Sequence, residues 1–134
     1  MKKFHYQFRV EWGDTDAAGI VYSPNYYKWM DQATHQVFST IGYPLSSLIR
    51  DEHIGIPMIE SNCSFNKPLY FEEDVAIIST VLELHDKVFK IKHEFIRGED
   101  EIAHGIELRA LASFAGEKPK AVSIPEDMHE LLLR

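Results

Sequence analysis

One stretch narrows the choice of fold more than any other. Between Pro24 and Gly42, apolar residues recur at Tyr26, Met30, Ala33, Val37 and Ile41, with Trp29 and Phe38 widening the stripe. That spacing predicts an amphipathic helix of about five turns, with an apolar face broad enough to be wrapped by a sheet. Ser23 is placed to cap it, Pro24 to open its first turn and Gly42 to stop it. Around it the chain reads as strands. Phe4, Tyr6, Phe8, Val10 and Trp12 alternate with His5, Gln7, Arg9 and Glu11, the period of a half-buried strand.

After a short helical turn within "GYPLSSLIRDEHIG", four further strand patterns follow without another long helix: Ile56–Asn66, Val75–Leu84, Val88–Arg97 and Ile102–Phe114. His85-Asp86-Lys87 and Gly98-Glu99-Asp100 occupy the hairpin positions. The last strand alternates most sharply, with Ile102, His104, Ile106, Leu108, Ala110, Ala112 and Phe114 against Ala103, Gly105, Glu107, Arg109, Leu111 and Ser113. Ser123 and Glu126 have capping-box spacing and predict a short C-terminal helix. The whole is an α+β fold, an antiparallel meander of five or slightly more strands covered by one helix. The strand Val75–Leu84 is apolar on both faces, so a second copy is expected to bury part of the sheet in a homo-oligomer, a homodimer or homotetramer.

With 134 residues and 45% hydrophobic content, residues 1–134 are expected to form a single domain. Fourteen basic against twenty-one acidic residues give a formal charge of −7, which argues against nucleic acid or an anionic membrane as partner. One cysteine, Cys63, and no run near the ~18 apolar residues of a membrane helix point to a cytoplasmic protein. Cys63 reads as a small buried hydrophobe, and the seven histidines show no HxH or HExxH spacing, so no metal and no cofactor are expected.

The segment "GDTDAAGIVYSPNYYKWMDQA", followed by "GIPMIESNCSFNKPLYFEEDV", resembles the hotdog-fold acyl-CoA thioesterases, specifically the 4-hydroxybenzoyl-CoA thioesterase family. The resemblance runs over nearly the whole chain. It implies an antiparallel sheet wrapped around a long helix, dimers with sites at the subunit interface, and hydrolysis of acyl-CoA. It also implies that Asp16 is the catalytic carboxylate and that a backbone N–H near the helix start, at Ser23, polarises the thioester carbonyl.

Compatible roles follow from the residues themselves. A thioester is already activated, so its hydrolysis needs a carboxylate to attack it or activate water, and a fixed dipole for the oxyanion. The N-terminus of a long helix supplies that dipole, with the N–H groups of Tyr22, Ser23 and Asn25 as candidate donors. Ala17, Ala18 and Gly19 let an acyl group approach bare backbone. Asp14 reads as a loop-shaping acceptor, and Asp31 as part of a surface network with Lys28 and His35. Gly19 and Tyr22 are candidate substrate-binding residues, and the resemblance implies Asn62 as a further one lining the acyl pocket, although a polar strand residue also commonly faces solvent. Lys87, ahead of Lys90 and Lys92, is the candidate for the coenzyme A phosphates, with a lysine-protected strand edge as the other reading. Two other functions remain open on sequence: a hotdog protein that binds acyl-CoA or acyl carrier protein without turnover, and a hotdog hydratase or dehydratase. The second normally pairs a His with a carboxylate, and the loop has no His.

Overall fold

The computed structural model describes residues 1–134. In chain order its elements are β1 (Phe4–Arg9), α1 (Pro24–Thr40), α2 (Leu45–Ser47), β2 (Ile54–Gly55), β3 (Met58–Phe65), β4 (Asp74–Leu84), β5 (Val88–Arg97), β6 (Asp100–Ala110), β7 (Ala112–Ser113), β8 (Lys120–Ala121) and α3 (Glu126–Leu133). Five strands form one antiparallel sheet in the order β1-β4-β5-β6-β3, and β2, β7 and β8 form a small second sheet. The helix α1 lies on one face of the large sheet and buries Tyr26, Trp29, Met30, Ala33, Thr34, Val37 and Phe38 against it. Its C-terminus closes as the sequence predicts. Gly42 takes φ +91°, and the N–H groups of Gly42 and Tyr43 bond the carbonyls of Ser39 (3.1 Å) and Phe38 (2.8 Å), a geometry that favours glycine.

Several expected boundaries shift for physical reasons. The first strand stops at Arg9, because Trp12–Asp14 coils into a 3-10 turn that leaves Trp12 exposed. The expected strand Ile56–Asn66 is realised only as β3, because Pro57, which has no N–H to give a ladder, separates it from the short β2 that precedes it, and Leu111 divides the last strand into β6 and β7. The hairpin after Arg97 is tighter than expected. Gly98, at φ +66°, and Glu99 make the whole turn, and Asp100 already pairs with Arg97. Ser123 does not cap α3; Pro125 occupies the cap position, and no side-chain capping bond forms.

The largest departure lies in β6. Phe95 faces Ala103 and Ile96 faces Glu101, so Ile102 is the extra residue of a β-bulge. A bulge flips the alternation, and beyond it the set turned toward the helix is Ala103, Gly105, Glu107 and Arg109, while Ile106 and Leu108 are half-buried on the outer face. Gly105 is required there: a Cβ at that position would stand 2.4 Å from the Met30 sulfur and 2.6 Å from the Asn62 carbonyl oxygen.

The inversion puts charge into the core. Glu107 and His93 are completely buried, as is Thr34, and Ser79 and Arg109 are nearly so. Ser79 Oγ lies 2.7 Å from His93 Nδ1, and His93 Nε2 lies 3.2 Å from Glu107 Oε1 and 3.0 Å from the Thr34 hydroxyl. Thr34 also donates to Glu107, and Arg109 donates to it twice, from Nε (3.1 Å) and Nη2 (2.9 Å). This belt separates two apolar clusters. One, around Tyr26, Trp29, Met30 and Phe95, packs the first half of α1; the other, around Val37, Phe38, Phe89 and Leu111, packs its second half together with α3.

Burial opposes ionisation of Glu107, but hydrogen bonds and charge from His93 and Arg109 override it and bring the carboxyl down to about 2, from an ordinary 4.5. A depressed carboxyl stabilises the fold fully above its unfolded value and loses that contribution as pH falls toward its folded value. Wild-type stability in urea is therefore expected to decline between about pH 4.5 and pH 2, and Glu107→Gln to flatten that decline while costing about 3 kcal/mol at neutral pH. Parallel stability-against-pH curves for the two proteins would show that Glu107 is not the group that titrates.

Candidate active site

The loop between β1 and α1 is built around two acids with different duties. The Asp14 carboxylate accepts the Glu11 N–H (2.8 Å), while the Asp14 carbonyl accepts from Tyr22 N–H (2.9 Å) and Asn25 Nδ2 (2.8 Å). Asp14 thus ties both ends of the loop together. Asp16 sits at the tip. Its N–H bonds the Ile20 carbonyl (2.9 Å), its own carbonyl accepts from Gly19 N–H (3.0 Å), and its Oδ1 accepts from Ala18 N–H (2.9 Å). The other carboxylate oxygen has no partner in the chain and the side chain is exposed. Gly19 makes this turn possible with φ +81°, a conformation that strains any residue with a Cβ. Val21 N–H to the Leu69 carbonyl (2.9 Å) pins the far side of the loop to the segment leading into β4.

Of the three donors considered at the start of α1, two are already spent. Tyr22 N–H goes to Asp14 and Asn25 N–H to the Tyr22 carbonyl (2.9 Å), which leaves Ser23 N–H as the one without a partner. Ser23 is not a side-chain cap: its backbone is already helical (φ −55°, ψ −35°) and its hydroxyl makes no capping bond. Ser23 lines a cavity of about 350 Å³ with Ile20, Tyr26, Phe65 and Asn66. Asp16 lines a separate open depression with Trp12, Thr15 and Ala17. Tyr22 is exposed beside the helix start.

The other candidates lie apart from this corner. Strand alternation turns Asn62 to the outer face of the sheet, with Glu60, Leu82, Lys90 and Ile106, while its neighbours Ser61 and Cys63 face inward. Cys63 belongs to the apolar packing, where burial pushes its thiol up to about 11 and keeps it protonated. Lys87 is exposed in the β4–β5 turn, and the lysines after it are paired, Lys90 with Glu83 (2.9 Å) and Lys92 with Glu94 (3.8 Å). Val10 N–H bonds the Glu73 carbonyl, so the acid loop lies at the start of β4, whereas Lys87 follows its end. At ~3.3 Å per residue, the 11 residues of β4 put Lys87 roughly 35 Å from the loop in the same chain.

Near the Lys87 end lies a cavity of about 530 Å³, walled by apolar residues including Leu45, Ile56 and Phe114 and by His35 and Arg109. Arg109 reaches the Ile56 carbonyl (2.9 Å) and Asp31 (2.6 Å), and Asp31 lies 3.5 Å from His35. Asp31 therefore pairs with Arg109 and His35, and Lys28 is not part of that network. No group of three or more His, Cys, Asp or Glu side chains comes together in a metal-binding arrangement.

Residues 10–132 match the profile of the Thioesterase-like superfamily. The chain belongs to that family. It is 32% identical over 132 residues to the 4-hydroxybenzoyl-CoA thioesterase of Pseudomonas sp. (strain CBS-3), a match covering 93% of this chain and 94% of the relative. Among solved structures it resembles a gentisyl-coenzyme A thioesterase (45% identity, TM-score 0.87, 96% of this chain and 98% of the other). It also resembles a 4-hydroxybenzoyl-CoA thioesterase mutant in complex with 4-hydroxybenzoyl-CoA (30% identity, TM-score 0.91, 98% and 99% covered). The hotdog fold and the family expected from the loop are borne out, and the enzyme is a thioester hydrolase. No helix is long and apolar enough to cross a membrane.

Sequence reasoning passed over Glu107, Arg109 and His93. The available signal was two charges at alternate positions of an otherwise apolar strand. Because the Ser23 hydroxyl caps nothing, Ser23→Ala is expected to change stability by less than ~0.5 kcal/mol and to leave turnover intact, since the N–H stays in place. Thermal melts and steady-state rates check this; a marked loss of rate would mean that the hydroxyl itself takes part.

Proposed function

We propose that the thioesterase hydrolyses acyl-CoA at Asp16 and Ser23, in a homodimer or larger homo-oligomer. The observation that carries the reading is the pairing of a carboxylate that has one free oxygen with a single unspent N–H at the start of a 17-residue helix. In this mechanism Asp16 attacks the thioester carbonyl or draws a proton from the attacking water. The carbonyl oxygen takes on negative charge and is met by Ser23 N–H and the positive end of α1. Collapse of the tetrahedral adduct breaks the C–S bond and releases coenzyme A as its thiolate. If Asp16 is the nucleophile, water then cleaves the resulting anhydride and restores the carboxylate. Gly19 and Tyr22 border the approach of the acyl group.

A second copy supplies what one chain lacks. The strand β3 pairs only with β6, so its other edge is free, and Met58, Ile59 and Phe65 along it are 43%, 55% and 47% exposed. Antiparallel pairing of β3 with its counterpart turns the second sheet end for end. In such a dimer the second copy's Lys87 and its 530 Å³ cavity would lie toward the first copy's Asp16. Lys87, with no acidic partner, would meet the coenzyme A phosphates, and the cavity would take the acyl group. The related enzymes named above act on hydroxylated aromatic acyl groups, and the mainly apolar cavity suits an aryl ring, so hydroxyaryl-CoA is the substrate class proposed here. Asn62, on the outer face, has no part in this reading.

Asp16→Asn keeps the shape of the loop and loses the base, and is expected to lower kcat at least ~10²-fold with folding and ligand affinity nearly intact. Asp14→Asn is expected to act mainly on loop stability. Turnover near wild type in Asp16→Asn would refute the assignment. A native protein that binds thioesters from a broad panel and hydrolyses none would instead be a carrier. In sedimentation at micromolar concentration the protein is expected to run as a dimer or tetramer, and Lys87→Gln to raise KM more than it lowers kcat. A fully active monomer would exclude the shared site.

A further inference from the structure

We propose that Arg109 is the specificity-determining residue of the acyl cavity, and that Glu107, braced by His93, Thr34 and Ser79, is the positioning residue that aims it. This rests on the hydroxyaryl thioesterase reading above. Arg109 is the only permanently charged residue lining the 530 Å³ cavity, and it is 4% exposed. Of the five N–H groups of a guanidinium, Nε uses one on Glu107, Nη2 uses two on Glu107 and Asp31, and Nη1 uses one on the Ile56 carbonyl. One N–H on Nη1 is left over on a wall that is otherwise mainly apolar. A donor in that position favours a ligand that brings an oxygen acceptor to it and penalises one that does not.

The acceptor it suits is neutral. Arg109 is already held between the carboxylates of Glu107 and Asp31, and these two would repel a further carboxylate brought to it on the acyl group. A ring hydroxyl meets the same N–H without that penalty. The aim of the guanidinium is set from behind. A free arginine side chain samples many rotamers, whereas Glu107 holds this one by two parallel bonds, the geometry of greatest directional restraint. Glu107 is in turn fixed by Thr34 and His93, and His93 by Ser79, so the orientation is passed from β4 through β5 and β6 to the cavity wall.

The test is the ratio of kcat/KM for 4-hydroxybenzoyl-CoA to that for benzoyl-CoA. It is expected to be ~10- to 100-fold in the wild type, to fall in Glu107→Gln chiefly through KM for the hydroxylated substrate, and to approach one in Glu107→Gln/Arg109→Met. The double substitution removes both charges together, so neither partner is left buried and unpaired. If it does not fold by circular dichroism, Arg109→Lys, which keeps the charge and loses the fork, is read by the same ratio. A ratio that stays at its wild-type value in the folded variant overturns the proposal, as does a wild-type ratio of one. If the wild type hydrolyses neither substrate, the thioesterase reading has failed. The corresponding ratio of Kd values for non-hydrolysable thioether analogues, measured by calorimetry, then decides the role of Arg109 separately.

Discussion

The buried Glu107 carboxylate is the group around which the rest of this structure is arranged. A charge without solvent must be met by several donors, and Glu107 is met by Thr34 from the helix, His93 from β5 and Arg109 from its own strand. Those donors tie α1, β5 and β6 together at one point, and a shift of one residue along β6 would exchange Glu107 and Arg109 for Ile106 and Leu108. The two apolar clusters on either side supply the bulk of the burial. The belt between them decides where along the sheet the helix sits, and therefore where its N-terminus lies.

That placement matters because the proposed chemistry is at the helix end. The loop between β1 and α1 is held on one side by Asp14 and on the other by the Val21–Leu69 bond, so Asp16 and Ser23 are presented on a backbone with little freedom. The same chain keeps its larger cavity and its unpaired Lys87 near the other end of the sheet, a strand length away. In the reading proposed above, each end of the sheet carries half of a site. In that reading the free edge of β3 is where a second copy would join the unlike halves.

Much of this was legible before any coordinates. The 3.6-residue period of α1, its Pro24 start and Gly42 stop, the hairpins and the acid-bearing loop all depend on contacts within a few residues, and each appears close to where the spacing put it. The loop pattern was specific enough to name the family. Boundaries moved where a local signal was overruled by what surrounds it, as at Trp12, whose place in the alternation of β1 gave way to a 3-10 turn.

The sequence by itself determined the helix, the strand order in the chain and the chemistry that the loop can offer, because all of these follow from side-chain type and short-range spacing. Only the tertiary structure decided which face of β6 is inside. One extra residue at Ile102 reverses the alternation, and a bulge depends on the partner strand rather than on the strand's own pattern. It also decided which amide is left free at the helix start, since Tyr22 and Asn25 spend theirs on carbonyls that the loop brings into reach. Hydrogen-bond vacancy is a property of the assembled fold, and no residue carries it alone.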